Sequence, residues 1–308
     1  MEKRKIIRLG NSSYVLTLPN DWILKNKIKK GDKVILKQIE KKKIIIEPNK
    51  TYKIKRKGII TFEKPLKLFI KKLISLYFKN YNIIIIKGEN LTKELNKIKT
   101  YLNKMSTLQI YEYNDNKIVL KDIINFEELK IEDLIRRINK NVINIFNELT
   151  KKELDYDLIN EIDSNINNLT YLAYKYVNNK LFNSYDKNFI VNSINYWRII
   201  FSLENIGDIL KRVSRYIKTE REEEMPELNF LFNRTKNYFE NISSVLNGEM
   251  NKKFLNYYLD EKQSLLKEIE DSKLRHKNQL NLFLVITQLL KDIIGRLEMV
   301  IVSLIDLE

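Results

Sequence analysis

Glu204 and Asp208 stand four residues apart in the segment Ser202-Leu203-Glu204-Asn205-Ile206-Gly207-Asp208. On a helix that spacing sets both carboxylates on one face, Cβ atoms about 5–6 Å apart, where uncompensated like charges repel. A hard or borderline cation between them relieves the repulsion. Neutralisation by Lys211 and Arg212, one turn on, would relieve it too, and the spacing alone leaves both open. Gly207 sharpens the question, because a mid-helix glycine costs about 1 kcal/mol relative to alanine and needs a packing or functional reason. Trp197 and Phe201 precede the pair at helical spacing and read as packing residues rather than a ligand platform.

A second group of residues suits anions. Arg4, Lys5 and Arg8 lead into Gly10-Asn11-Ser12-Ser13. Arginine pairs bidentately with phosphate or a guanine edge, asparagine both donates and accepts, and glycine permits close backbone approach. The charge is concentrated here: residues 1–58 hold 18 Lys plus Arg against five acids, a net of +13 out of the chain's +16, leaving +3 for the other 250 residues. A phosphate-binding surface follows from that concentration more than from the total.

Other chemistry is poorly supplied. There is no cysteine, so disulfides, thiol nucleophiles and thiolate metal sites are excluded. His276 is the single histidine, with no carboxylate at a catalytic spacing, and reads as a solvent-facing residue at a helix start. No Gly-rich phosphate loop, Ser/His/Asp set or His-x-x-x-His pair occurs, so no enzyme activity is expected. The sequence has no run of about 18 uncharged apolar residues, so no membrane insertion and a cytoplasmic location are expected.

These residues need elements to position them. Residues 4–48 read as four short strands, near 5–9, 14–18, 33–37 and 43–47, with one small helix over 21–27, Asn20 as its N-cap and Trp22 and Ile23 on its buried side. So few elements cannot bury a core, so an identical partner chain is expected. Residues 59–125 read as a compact α/β segment: a helix from Pro65 to Phe78, a buried strand Ile83-Ile84-Ile85-Ile86, a helix from Leu91 to Asn103, and strands near 107–113 and 117–121. No motif in this segment marks a chemical site. From Ile131 the periodicity predicts helices near 131–150, 154–179, 186–217, 227–247, 251–272 and 275–306, with breaks at Asn178-Asn179, Met225-Pro226 and Asn247-Gly248. Ile199, Leu203, Ile206, Leu210, Val213 and Ile217 form one apolar stripe at spacings of three and four. The expected fold is multidomain α+β, divided at 1–58, 59–125 and 126–308.

Arg8-Leu9-Gly10-Asn11-Ser12-Ser13-Tyr14-Val15-Leu16-Thr17-Leu18-Pro19, then Trp22, then Lys30-Gly31-Asp32-Lys33-Val34, resembles the swapped-hairpin DNA-binding module of the AbrB and MazE families over residues 3–48. The resemblance implies a dimeric barrel of interleaved hairpins from two chains, with Arg4, Lys5, Arg8, Gly10, Asn11, Ser12 and Ser13 facing DNA. The helical part is similar to PhoU, the phosphate-uptake regulator family, and the order of the three parts resembles an archaeal-type fusion. That implies a six-helix bundle of two three-helix repeats, with Glu204 and Asp208 in a Glu-x-x-x-Asp motif that ligates metal clusters in the family. This chain departs from the pattern: Asp163-Ser164-Asn165-Ile166-Asn167 stands where further acids are expected, and the second repeat holds only Lys291-Asp292-Ile293-Ile294-Gly295. The expectation is therefore no cluster and at most one weakly bound divalent cation. Taken together, the reading is a homodimeric DNA-binding regulator of phosphate homeostasis whose helical domain senses or docks. The alternative is an adaptor that docks a phosphate transporter or signalling kinase, its hairpin module serving only to dimerise.

Overall fold

The computed structural model describes residues 3–40, 43–49, 56–151, 153–183, 187–220, 226–275 and 281–307. The chain divides into two compact units, Met1–Ile54 and Lys55–Glu308.

In the first unit, β1 (Ile6–Leu9) and β2 (Ser13–Leu16) form an antiparallel hairpin, with Arg8 opposite Tyr14 and Leu9 opposite Ser13. Gly10 closes it at φ +67°, a left-handed conformation that favours glycine. Helix α1 (Asn20–Lys25) follows, and Pro19 rather than Asn20 is its N-cap. Proline offers no side-chain acceptor, and the Pro19 carbonyl instead receives the Trp22 and Ile23 amides, each at 3.1 Å. A second antiparallel hairpin joins β3 (Val34–Glu40) to β4 (Lys43–Pro48), braced by a Lys37–Glu47 ion pair of 2.7 Å. No described residue of this unit is buried, and Trp22 and Ile23 are only half-buried.

The second unit opens with a four-stranded sheet in the order β5-β6-β8-β7. Its strands are β5 (Lys57–Thr61), β6 (Ile83–Lys87), β7 (Leu108–Asn114) and β8 (Lys117–Asp122). The connecting helices α2 (Leu66–Phe78) and α3 (Leu91–Leu102) cover one sheet face. Phe69, Leu73, Ile84, Ile86, Leu91, Ile98, Ile118 and Leu120 form the core between them. Residues 57 and 58, placed with the first domain on sequence grounds, begin β5, which pairs parallel to β6.

The chain continues as α4 (Ile131–Leu149), α5 (Tyr156–Asn183), α6 (Lys187–Glu220), α7 (Pro226–Leu246), α8 (Leu255–Arg275) and α9 (Asn281–Asp306). Helix α5 does not break at Asn178-Asn179: the Asn178 amide donates to the Phe78 carbonyl at 3.3 Å, and the helix runs on to Asn183. The break at Asn247-Gly248 is real, with Gly248 at φ +80° donating its N–H to the Val245 carbonyl. α4, α5 and α6 pack on one another, as do α7, α8 and α9; α6 against α9 and α4 against α7 join the two sets. All share one core, in which Ile138, Val142, Phe146, Ile206, Leu210, Ile293 and Ile294 are fully buried. Among the described residues, no helix is long and apolar enough to cross a membrane.

Candidate functional site

The hairpin turn brings Arg8, Gly10, Asn11, Ser12 and Ser13 together at one end of β1 and β2, all exposed. Arg8 points along this turn, its Nη2 donating to the Asn11 carbonyl at 3.1 Å. Arg4 and Lys5 lie just before β1, about 10–13 Å from Arg8 at the usual strand rise. The Arg4 guanidinium donates to Thr17 Oγ1 at 3.4 Å. Residues directly paired across an antiparallel hairpin share a face, so Arg8 shares one with Ile6, Tyr14 and Leu16. The unit thus presents an exposed cationic turn on strands that also expose Ile6, Leu9 and Tyr14 at 69%, 64% and 71%.

The carboxylate pair lies on α6, with Glu204 half-buried and Asp208 exposed. Burial, then Asp208 and Asp163, push the Glu204 carboxyl up to about 7, against the pull of Arg296 and Lys104. Asp208 is also raised, first by burial and then by Asp163, with Lys211 and Arg212 opposing. Lys211, however, pairs with Asp163 of α5, Nζ to Oδ2 at 2.6 Å, and Asn167 donates to the Asp163 carbonyl at 2.9 Å. Glu204, Asp208 and Asp163 thus repel one another, and Arg296, Lys104, Lys211 and Arg212 only partly offset that repulsion.

Among the described residues, no three His, Asp or Glu side chains converge on a metal position. Asn165 is exposed, Asp292 is exposed and accepts from Gln288 Nε2 at 3.1 Å, and Lys291 pairs with Glu270. Gly207 has a packing reason: a Cβ there would meet Ile166 Cδ1 at 3.0 Å, so the glycine lets α5 and α6 approach. Trp197 stacks on Tyr174 at 4.0 Å and Phe201 receives Arg296 at 5.5 Å, yet both remain over a third exposed. His276 lies outside the described residues.

One polar cluster escaped the sequence reading. Lys175 of α5 and Asp122 at the end of β8 form an ion pair at 2.6 Å, with side chains 0% and 1% exposed. The Lys175 ammonium also lies 3.8 Å from the Tyr77 ring centroid and 3.5 Å from Thr107 Oγ1. Burial pushes Lys175 below the usual lysine range, and Asp122 counters it. Tyr171, Lys175 and Asn178 do recur at spacings of four and three, but two of the three are polar types that normally mark a solvent face.

Comparison with known families bears on the N-terminal unit. A family model described as antidote-toxin recognition MazE, bacterial antitoxin, matches residues 7–55. This part of the chain is therefore similar to MazE- and AbrB-type domains, which is consistent with a DNA-binding regulator. No curated protein and no solved structure matches the chain.

Proposed function

We propose that this chain is a non-enzymatic, homodimeric DNA-binding regulator. Two copies of the N-terminal hairpins fold against each other and present Arg4, Lys5, Arg8 and the turn Gly10–Ser13 to a duplex. The observation that carries this reading is the absence of any buried residue among those described in the first unit, while Ile6, Leu9, Leu36 and Ile44 stand 64–69% exposed. Strands this apolar need a cover, and an identical chain supplies it at no cost in new sequence.

The helical part is the receiving end of the regulator. Its order of two three-helix sets, and the PhoU-like segment around Glu204 and Asp208, support control of phosphate uptake. We read the site as holding at most one weak cation, because Asn165 and Asn167 stand where a cluster would need further carboxylates. Anisotropy titration of the full chain with genomic DNA fragments tests the first claim. If a dimer neutralises about four to eight phosphates, log K falls against log salt with a slope of about −4 to −7. Salt-independent binding, or full retention in the Arg4→Ala/Lys5→Ala/Arg8→Ala variant, refutes it.

One observation favours a second reading, a docking adaptor whose hairpins only dimerise. Ile190, Ile194, Trp197 and Phe201 recur along one face of α6 and are exposed by 43%, 59%, 39% and 45%. Such a stripe suits a protein partner. DNA affinity separates the two readings.

A further inference from the structure

The sheet of the second unit is covered by α2 and α3 on one face only, and its other face is not the polar surface that exposure to water favours. Residues paired across strands share a face, so three rows can be read from the register. The middle row is Ile59, Ile85, Val119 and, on the edge strand β7, Glu112. One flanking row is Lys57, Ile83, Lys121 and Gln109; the other is Thr61, Lys87, Lys117 and Asn114. Ile59 is 57% exposed, while Ile85 and Val119 are buried at 8% and 7% but belong to neither of the two core clusters. The row is thus apolar on β5, β6 and β8, ends at Glu112 on β7, and has two lysines on either side.

The lysines are not matched by acids. Glu112 pairs with Lys117, but among the described residues Lys57, Lys87 and Lys121 have no carboxylate partner. Lys87 and Lys117 are direct cross-strand partners, an arrangement of like charges that weakens a sheet. An anionic occupant would remove that repulsion and cover the strip together.

We propose that this face docks an amphipathic helix of a partner protein, one whose apolar stripe is flanked by acidic residues. The dimensions suit it. Strands lie about 4.8 Å apart, so the apolar row repeats at nearly the 5.4 Å pitch of a helix laid across them. The lysine rows are four residues apart along each strand, about 13 Å, which brackets a helix of about 10–12 Å diameter. Single-stranded nucleic acid fits less well. Its bases stack on open aromatic rings, whereas the strip is aliphatic and the one ring beside it, Tyr111, already carries the Lys121 ammonium 2.8 Å from its centroid.

The test is fluorescence anisotropy of the full chain with three labelled probes: a synthetic helix with a leucine stripe flanked by glutamates, its scrambled isomer, and oligo-dT. The glutamate-flanked helix should bind at least about tenfold more tightly than its isomer. Ile59→Asp and Lys87→Glu, both at exposed side chains, should each weaken it at least about tenfold, a loss of about 1.4 kcal/mol. Arg8→Ala should leave it unchanged, so the result stands apart from the DNA reading of the N-terminal unit. Thermal melts establish that both sheet variants stay folded, with Lys57→Glu replacing either that does not. Absence of binding, equal binding by the variants, or oligo-dT binding weakened by Lys87→Glu would each overturn the proposal.

Discussion

Gly207 and Gly295 both sit inside long packed helices, yet an added methyl would meet different surroundings at each. At Gly207 it would press on Ile166 Cδ1 at 3.0 Å, in the core; at Gly295 nothing lies within 4 Å. Alanine should therefore stabilise at position 295 by about 1 kcal/mol, the helix-propensity difference, raising Tm by about 2–4 °C. Gly207→Ala should gain nothing in the native background and recover that increment only with Ile166→Val, which removes the obstructing carbon. A double-mutant cycle by denaturant titration measures it, and a stabilising Gly207→Ala alone would count against the packing role. The sequence identified Gly207 as needing a reason, but could not choose between metal and packing because Ile166 is 41 residues away in the chain. Larger separations, 92 and 100 residues, hid Arg296 and Lys104 from the reading of Glu204. Glu204 is raised from 4.5 to about 7, so the folded state binds its proton more tightly than the unfolded state does. Its ionisation therefore costs stability as pH rises through 4.5 to 7. Glu204→Gln should match the parent below that window and exceed it above pH 7 by about 1 kcal/mol, allowing for solvent screening of a half-buried group. Chemical denaturation at both ends of the window checks the sign.

Among the elements, those with a long period or a clear turn were legible and those that depend on a distant partner were not. The six helical segments and the Asn247-Gly248 break follow from apolar spacing and from glycine, both local properties. Strand β5 was missed because Lys57-Gly58-Ile59-Ile60-Thr61 holds only two adjacent apolar residues, and its pairing with β6 is a long-range parallel one. The strand Ile83-Ile84-Ile85-Ile86 read as buried, and Ile84, Ile85 and Ile86 are, with Ile84 and Ile86 on the helix-covered face. The Lys175–Asp122 pair is the strongest case, joining helix and sheet through charges that sequence alone places on the surface. Removing one partner leaves the other buried and uncompensated, so Asp122→Ala should destabilise by about 3–5 kcal/mol. The double variant Lys175→Met/Asp122→Leu should recover most of that, since apolar residues of similar size fill the site without a desolvation cost. Equilibrium unfolding of the two variants and the parent decides it; a double variant as unstable as Asp122→Ala would mean the pair is irreplaceable for shape and not only for charge.

For the whole molecule, the decisive contrast is in where apolar side chains go. The unit from Lys55 to Glu308 buries two cores of its own, whereas the described residues of the first unit bury none. That contrast was legible in outline, because four short strands and one small helix are too few to enclose a core whatever their register. The sequence could not show how much apolar surface each strand leaves open. A unit without its own core is stable only by mass action with its cover, so its unfolding midpoint should depend on protein concentration. The chain carries its own probes for this: its two tryptophans, Trp22 and Trp197, fall one in each unit. In a Trp197→Phe variant, fluorescence reports the first unit alone, and its midpoint should fall on dilution, since tenfold dilution of a dimer costs about 1.4 kcal/mol. In a Trp22→Phe variant, the transition seen through Trp197 should stay put over the same dilutions. A Trp22 midpoint that does not move across a hundredfold dilution would identify the hairpins as a folded monomer and remove the basis for a shared barrel. Movement of both midpoints together would instead locate the assembly in the helical unit, where the exposed stripe of α6 is the face to examine next.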